Sequence, residues 1–574
     1  MRALFAAVAA LALAATARAQ TPPPEAPTGS AAKQATLARH HIVAAANPLA
    51  AAAGREMLRR GGTAVDAAIA TQMVLNLVEP QSSGIGGGAV IVYWSAAEHR
   101  VVTFDGRETA PAAARPDRFL GPSGKPLAFY DAVVGGRSVG VPGALRALEL
   151  AHRRYGRLPW AELFAPAIAL AEQGFDVSPR LNALLARDPF LRLAPTARDY
   201  FYDAGGTPKT RLANPALAAT LRAIATDGVD AFYSGPLAEA IATTVRSAAT
   251  NPGDLTAADI TAYEARERAP VCGAYRGYRL CGMAPPSSGG VGVLEILGLL
   301  ARFDLARDRP PSVAAVHLFA EAGRLAYADR NRYLADSDFV PVPLKGLLDP
   351  GYLAERARLI DPSHALTSPA SPGDPPGAHA RDGGLDRAPE LPGTSNLAIV
   401  DDAGDALDMT TTIENVFGSR LMVAGFLLNN ELTDFSFVPE EDGKPVANRV
   451  EPGKRPRSAM APTLVFDRDG GLMLVVGSAG GPAIINDVAK TIIAVIDWHY
   501  DLQAAMDLPN DGNRNGATEI EAGPGAQSMA AALKALGDKV QISDRPSGLS
   551  GILVTRQGLK GAADSRREGE ALGD

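Results

Sequence analysis

The run TSPASPGDPPGAHARDGGLDRAPELPG, residues 367–393, passes directly into TSNLAIVDDAGDALDMTTT, residues 394–412, and the break between them decides how the chain is read. The first part is too rich in Pro, Gly and small polar residues to pack a core, so it reads as an exposed, mobile segment. The second part reads as two strands, NLAIVDD and ALDMTTT, joined by a tight turn containing Gly404. If Asp402-Ala403-Gly404 is a three-residue loop, Thr394 lies opposite Thr412. A slip of one residue would undo that pairing. On composition alone, the junction at Gly393 is a linker between two domains.

Working outward, the flanking sequence alternates strand and helix, which makes the chain α/β in class. Asn47 caps a first helix with Pro48 in its first turn, and Gly61-Gly62 closes it. Thr63 and Asp66 open a second helix that runs to Pro80. The strand AVIVYW follows the glycine cluster SSGIGGG, and residues 140–360 are mostly amphipathic helices. Beyond the junction, the strand LMLVVG leads through SAGGP into the apolar helix AIINDVAKTIIAVIDWHY.

The first nineteen residues have the form of an export signal: Arg2, an apolar stretch to Ala15, then Ala17-Arg18-Ala19 before Gln20. They place the mature protein in the periplasm or outside the cell. The apolar stretch is too short to span a bilayer, so no membrane anchor is expected. The net charge of −7 over 574 residues gives no reason to propose nucleic acid as a partner. Cys272 and Cys281 flank a predicted hairpin turn; a structural bridge and two buried thiols are both open.

Two motifs imitate other chemistries. Gly136-Arg137-Ser138-Val139-Gly140 has the spacing of a serine-hydrolase elbow, but Pro142-Gly143 interrupts the helix that must follow. Gly84 to Gly88 imitates a dinucleotide loop, yet a strand follows it instead of a helix. The eight histidines contain no His-x-x-x-His pair, so neither a metal nor a cofactor is expected.

Seven further runs occur in a telling order: NPLAAAAGREMLRRGGTAVDAAIATQMVLNLVEPQSSGIGGGAVI, GRETAP, APPSSGG, LAYADRNRYLADSDFV, LLNNELTDFS, KRPRSAMAPT and VVGSAGGPAII. Together they resemble the gamma-glutamyltranspeptidases from about Thr36 to the C-terminus. The resemblance implies a four-layer αββα sandwich of the N-terminal nucleophile hydrolase type. It also implies self-cleavage between Gly393 and Thr394. The fragments, residues 20–393 and 394–574, would remain together as a heterodimer. Thr394 would be the nucleophile, since cleavage frees an α-amino group of ordinary pKa near 8 beside its hydroxyl.

The same resemblance assigns the remaining site. Thr412 matches a threonine that hydrogen-bonds the nucleophile, and Gly480 and Gly481 match an oxyanion pair. Arg107 matches the clamp on the glutamyl α-carboxylate, assisted by Ser458. Glu431 and Asp434 match the acids that hold the α-ammonium. The chain departs from the family pattern in three places. Glu414 replaces an asparagine near the ammonium, Ala459 replaces the second serine of a Ser-Ser pair, and the segment from Phe435 to Arg455 is short and lacks a lid tyrosine. The implied activity is transfer or hydrolysis of γ-glutamyl groups from glutathione or related donors to water, an amino acid or a peptide. Two rival readings are an acylase for glutaryl (cephalosporin-type) amides and an uncleaved, inactive binding protein.

Overall fold

Fourteen strands build two sheets in the computed structural model, which describes residues 31–366, 369–378, 383–389, 391 and 393–574. The expected export segment, residues 1–19, lies outside them. In chain order the strands are β1 (Thr36–Ala38), β2 (Ile42–Ala45), β3 (Gly88–Ser95), β4 (Arg100–Gly106), β5 (Arg266–Arg268), β6 (Val271–Tyr275) and β7 (Tyr278–Gly282). They continue with β8 (Thr394–Val400), β9 (Ala406–Thr412), β10 (Thr463–Phe466), β11 (Leu472–Gly477), β12 (Ser550–Thr555), β13 (Gly558–Ala563) and β14 (Glu570–Gly573). One sheet has the order β14-β2-β8-β9-β3-β4-β5, and the other β1-β13-β12-β11-β10-β7-β6.

The sheets face each other across a core that includes Ile42, Val92, Trp94 and Ala398 from the first and Leu464, Phe466, Val475 and Ile552 from the second. Alternation along each strand sends the other side chains outward. There the first sheet is covered by α1 (Pro48–Arg59), α2 (Ala64–Val78) and α3 (Ala144–Tyr155). The second is covered by α4 (Gly289–Leu300), α5 (Val313–Tyr333) and α6 (Ile484–Ile496). The result is the four-layer αββα sandwich.

Local signals work as their chemistry requires. The Asn47 side chain accepts from Leu49 N, and Thr63 and Asp66 form a reciprocal capping box. Every residue of α2 is buried, because it lies between the sheet and further helices. Cys272 and Cys281 face each other across β6 and β7 and are bridged, which decides between the two states left open above. Among the described residues, no helix is long and apolar enough to cross a membrane.

The β8–β9 hairpin keeps the register expected from its turn. Thr394 pairs with Thr412 and Val400 with Ala406, while Asp401 N donates to Asp405 O at 3.0 Å to close the loop. The segment before it differs from the exposed run that composition suggests. Gly373 N donates to Asp329 Oδ1 at 2.6 Å, and the Tyr333 hydroxyl donates to Gly373 O. Asp386 is buried, accepts from Asn448 Nδ2 at 2.8 Å and pairs with Arg457 at 3.0 Å. Polar and backbone bonds hold these residues, and only small side chains such as Ala370, Ala378 and Ala388 pack on the apolar clusters, so hydrophobic composition does not register them.

Candidate active site

Thr394 is the first residue of β8, in the interior of its sheet, and is 4% exposed. In the uncut chain the Thr412 hydroxyl donates to the Gly393 carbonyl at 2.6 Å and accepts from Glu414 N at 2.8 Å. A Cβ on residue 393 would collide with the Glu414 carbonyl, so only glycine lets this carbonyl reach Thr412. On the other side, Arg567 Nη1 donates to Thr394 O at 2.9 Å. The Thr394 hydroxyl faces a small cavity and bonds no group among the described residues. Thr412 therefore bonds the carbonyl before the junction, where a hydrogen bond to the nucleophile's hydroxyl was expected. The intact 393–394 peptide supplies a carbonyl acceptor within its reach.

The wall opposite is charged. Arg107 follows the end of β4 and is 1% exposed. Its Nη1 donates to Glu431, its Nη2 to Asp434 Oδ2 and to Arg457 O (2.9 Å), and its Nε to Pro456 O at 3.0 Å. Glu431 and Asp434 come from one short 3-10 turn, which points both at the same guanidinium. Burial opposes the charge on Arg107, but Glu431, Asp434 and Glu108 outweigh it and keep the guanidinium protonated. Burial also raises the Glu431 carboxyl, against the pull of Arg107. Glu414 stands just past β9 and its Oε2 accepts from Asn430 Nδ2. Burial first, then Asp434 and Glu431, push its carboxyl well above the usual range.

The third wall is the turn before α6. Gly480 and Gly481 have φ of +139° and +59°, conformations that favour glycine. Their N–H groups donate to no acceptor among the described residues. Gly481 and Pro482 line the cavity, with Gly480 one residue behind. Ser458 also lines it; its Oγ accepts from Met460 N at 2.9 Å, leaving its own hydroxyl proton to donate. Ala459 lies beside it.

The structure thus brings Arg107, Thr394, Thr412, Glu414, Glu431, Asp434, Ser458 and Gly481 around one cavity of about 30 Å³. In the uncut chain that volume holds little more than water. A larger cavity of about 680 Å³, walled by Phe319, Trp498 and Met529, contains none of the residues singled out by the motifs. Three participants escaped the sequence reading. Glu108 lies 3.6 Å from Arg107, Asn430 bonds Glu414, and Arg567 reaches in from the far end of the chain. Glu108 adjoins Arg107 in GRETAP, which was its one available signal. The imitation motifs resolve structurally. Ser138 is buried and donates to Val133 O at 2.6 Å. At Gly87, a Cβ would strike the Thr412 carbonyl.

The gamma-glutamyltranspeptidase family model matches residues 50–574. The chain belongs to the gamma-glutamyltranspeptidase family. The glutathione hydrolase proenzyme of Bacillus subtilis (strain 168) is 37% identical over 557 residues, covering 94% of this chain and 92% of the relative. The solved cephalosporin acylase from Bacillus halodurans superposes with a TM-score of 0.82 at 27% identity, covering 96% of this chain and 99% of that one. The Helicobacter pylori gamma-glutamyltranspeptidase gives 0.54 at 34% identity, covering 59% of this chain and 95% of that one. As a member of the gamma-glutamyltranspeptidase family the chain is an enzyme, and its two facing sheets are those of the N-terminal nucleophile hydrolases.

Proposed function

We propose that this enzyme cuts itself between Gly393 and Thr394 and then transfers or hydrolyses γ-glutamyl groups through an ester on Thr394. One observation carries the reading: the Thr394 hydroxyl shares a cavity with a carboxylate clamp, Arg107, and with a cluster of acids suited to an ammonium. In maturation, the Thr394 hydroxyl attacks the Gly393 carbonyl carbon, and Thr412 donates to the oxygen that becomes negative. Collapse breaks the peptide bond and leaves an ester on Thr394. Water hydrolyses that ester, giving a Gly393 carboxylate and a free Thr394 α-amine.

In catalysis the amine takes the hydroxyl proton as Thr394 attacks the γ-carbonyl of glutathione or a related donor. The N–H groups of Gly480 and Gly481 stabilise the oxyanion. Collapse breaks the C–N bond, and the protonated amine returns its proton to the leaving nitrogen. Water then releases glutamate, or an amino acid or peptide amine takes up the acyl group. Arg107 and Ser458 hold the α-carboxylate, while Glu414, Glu431 and Asp434 hold the α-ammonium. After export to the periplasm, such an enzyme would salvage the amino acids of glutathione.

The likeness to a cephalosporin acylase favours glutaryl amides as a second reading. A glutaryl group has no ammonium to neutralise the three acids. Turnover of γ-glutamyl and glutaryl anilides by the mature enzyme decides between them. Preference for the γ-glutamyl anilide supports the proposal, and preference for the glutaryl anilide overturns it.

A further inference from the structure

Three buried carboxyl groups and one half-buried one gather about a single guanidinium. Glu108, Glu414 and Glu431 are each at most 4% exposed, and the Asp434 side chain is 15% exposed. Glu431 and Asp434 bond Arg107 directly, and Glu108 lies 3.6 Å from it. Glu414 alone among them lines the cavity without an ion pair to Arg107, and the amide of Asn430 is its side-chain partner. The other arginine on that side cannot serve it. Arg420 pairs with Asp188 at 2.8 Å, donates to Asn415 Oδ1 at 3.0 Å, and lies 5.6 Å over the Tyr130 ring. Tyr130, its hydroxyl pushed up by burial and so uncharged, also lies within electrostatic reach of Glu414. Among the described residues the Thr412 hydroxyl, already bonded to the Glu414 backbone, and the α-amine that cleavage would free on Thr394 lie on the cavity side.

Ionising all four acids would bury three more negative charges than positive ones, which a low-dielectric site does not sustain. Glu431 and Asp434 each bond the Arg107 guanidinium, whose positive charge favours their ionised forms against burial. Glu108 is fully buried behind Arg107 and does not line the cavity. The proton that a ligand can displace therefore belongs to Glu414. Its backbone, at φ +72° and tied through its N–H to Thr412, holds the residue at the cavity wall.

We propose that Glu414 carries a proton in the free site and gives it up to solvent when the α-ammonium of a γ-glutamyl donor binds. This rests on the γ-glutamyl reading of the site and adds a proton coupling to it. The bound ammonium takes the place of the proton as the charge that balances Glu414. Donor affinity then rises with pH, by up to about tenfold per unit, until Glu414 is ionised in the free site, and levels off above that point. A glutaryl ligand offers no cation, so it gains nothing from the ionised form. The residue that departs from the family's asparagine thus makes discrimination between the two acyl groups pH-dependent.

Isothermal titration of the mature enzyme with L-glutamate and with glutarate, in buffers of different ionisation enthalpy, counts the protons exchanged. Wild type should release about one more proton per L-glutamate bound than Glu414→Gln does, with no such difference for glutarate. Equal counts for wild type and variant overturn the coupling while leaving the γ-glutamyl reading intact. Failure of L-glutamate to bind while glutarate binds overturns both. The pH dependence of KM for a γ-glutamyl anilide, measured on wild type alone, guards against a misfolded variant. A fall in KM with rising pH supports the coupling, and a flat profile from pH 6 to 9 overturns it.

Discussion

Replacing Thr412 by valine keeps the shape of the side chain and removes one hydroxyl. That hydroxyl donates to the Gly393 carbonyl at 2.6 Å and accepts from Glu414 N at 2.8 Å. Negative charge develops on this carbonyl oxygen when Thr394 attacks. Loss of one donor to such an oxygen costs about 2.7–4 kcal/mol, or about 10²–10³ in rate. The Glu414 N–H would lose its acceptor as well, at about 1–3 kcal/mol of stability, so folding must be checked in parallel. Freshly made precursor, sampled over time on a denaturing gel, should show Thr412→Val cutting about 10²–10³ times more slowly than wild type, with Thr412→Ser close to wild type. A folded Thr412→Val precursor that matures at the wild-type rate would refute the role assigned to this hydrogen bond.

Arg107→Lys keeps the charge but loses the fork, so kcat/KM for a γ-glutamyl anilide should fall about 10- to 150-fold, as for one charge-assisted bond. Ala459→Ser adds a hydroxyl beside the cavity and should lower KM by up to about tenfold, read from initial rates. The Glu79 carboxyl, pushed up to about 8 by burial against the pull of Arg567, holds its proton more tightly in the folded chain than in the unfolded one. Its contribution to stability is therefore full in acid and is lost as pH rises through about 8. Thermal melts from pH 5 to 9 should show wild type losing more stability with rising pH than Glu79→Gln does.

The sequence carried most of the frame because its signals there are local. The turn at Gly404 sets the register that puts Thr394 opposite Thr412, and the caps at Asn47 and Thr63 set two helices. What escaped depends on distant partners. Residues around Gly373 are held by Asp329 and Tyr333 of α5, and no periodicity of their own announces that. Arg567 reaches Thr394 O only because β13 and β14 return the end of the chain to the two sheets. Glu108 adjoins Arg107 in sequence, yet its burial beside the guanidinium is set by folding around Gly88 and Gly140. The Arg107 cluster was legible as a set of residues, but the direct pairing of clamp and acids was not.

Self-cleavage is the central claim, because the mechanism needs the free α-amine of Thr394. The measurement that tests it most directly is the intact mass of the purified protein under denaturing conditions. The account predicts two species, one of them running from Thr394 to Asp574. A single uncut species that persists on long incubation would contradict it.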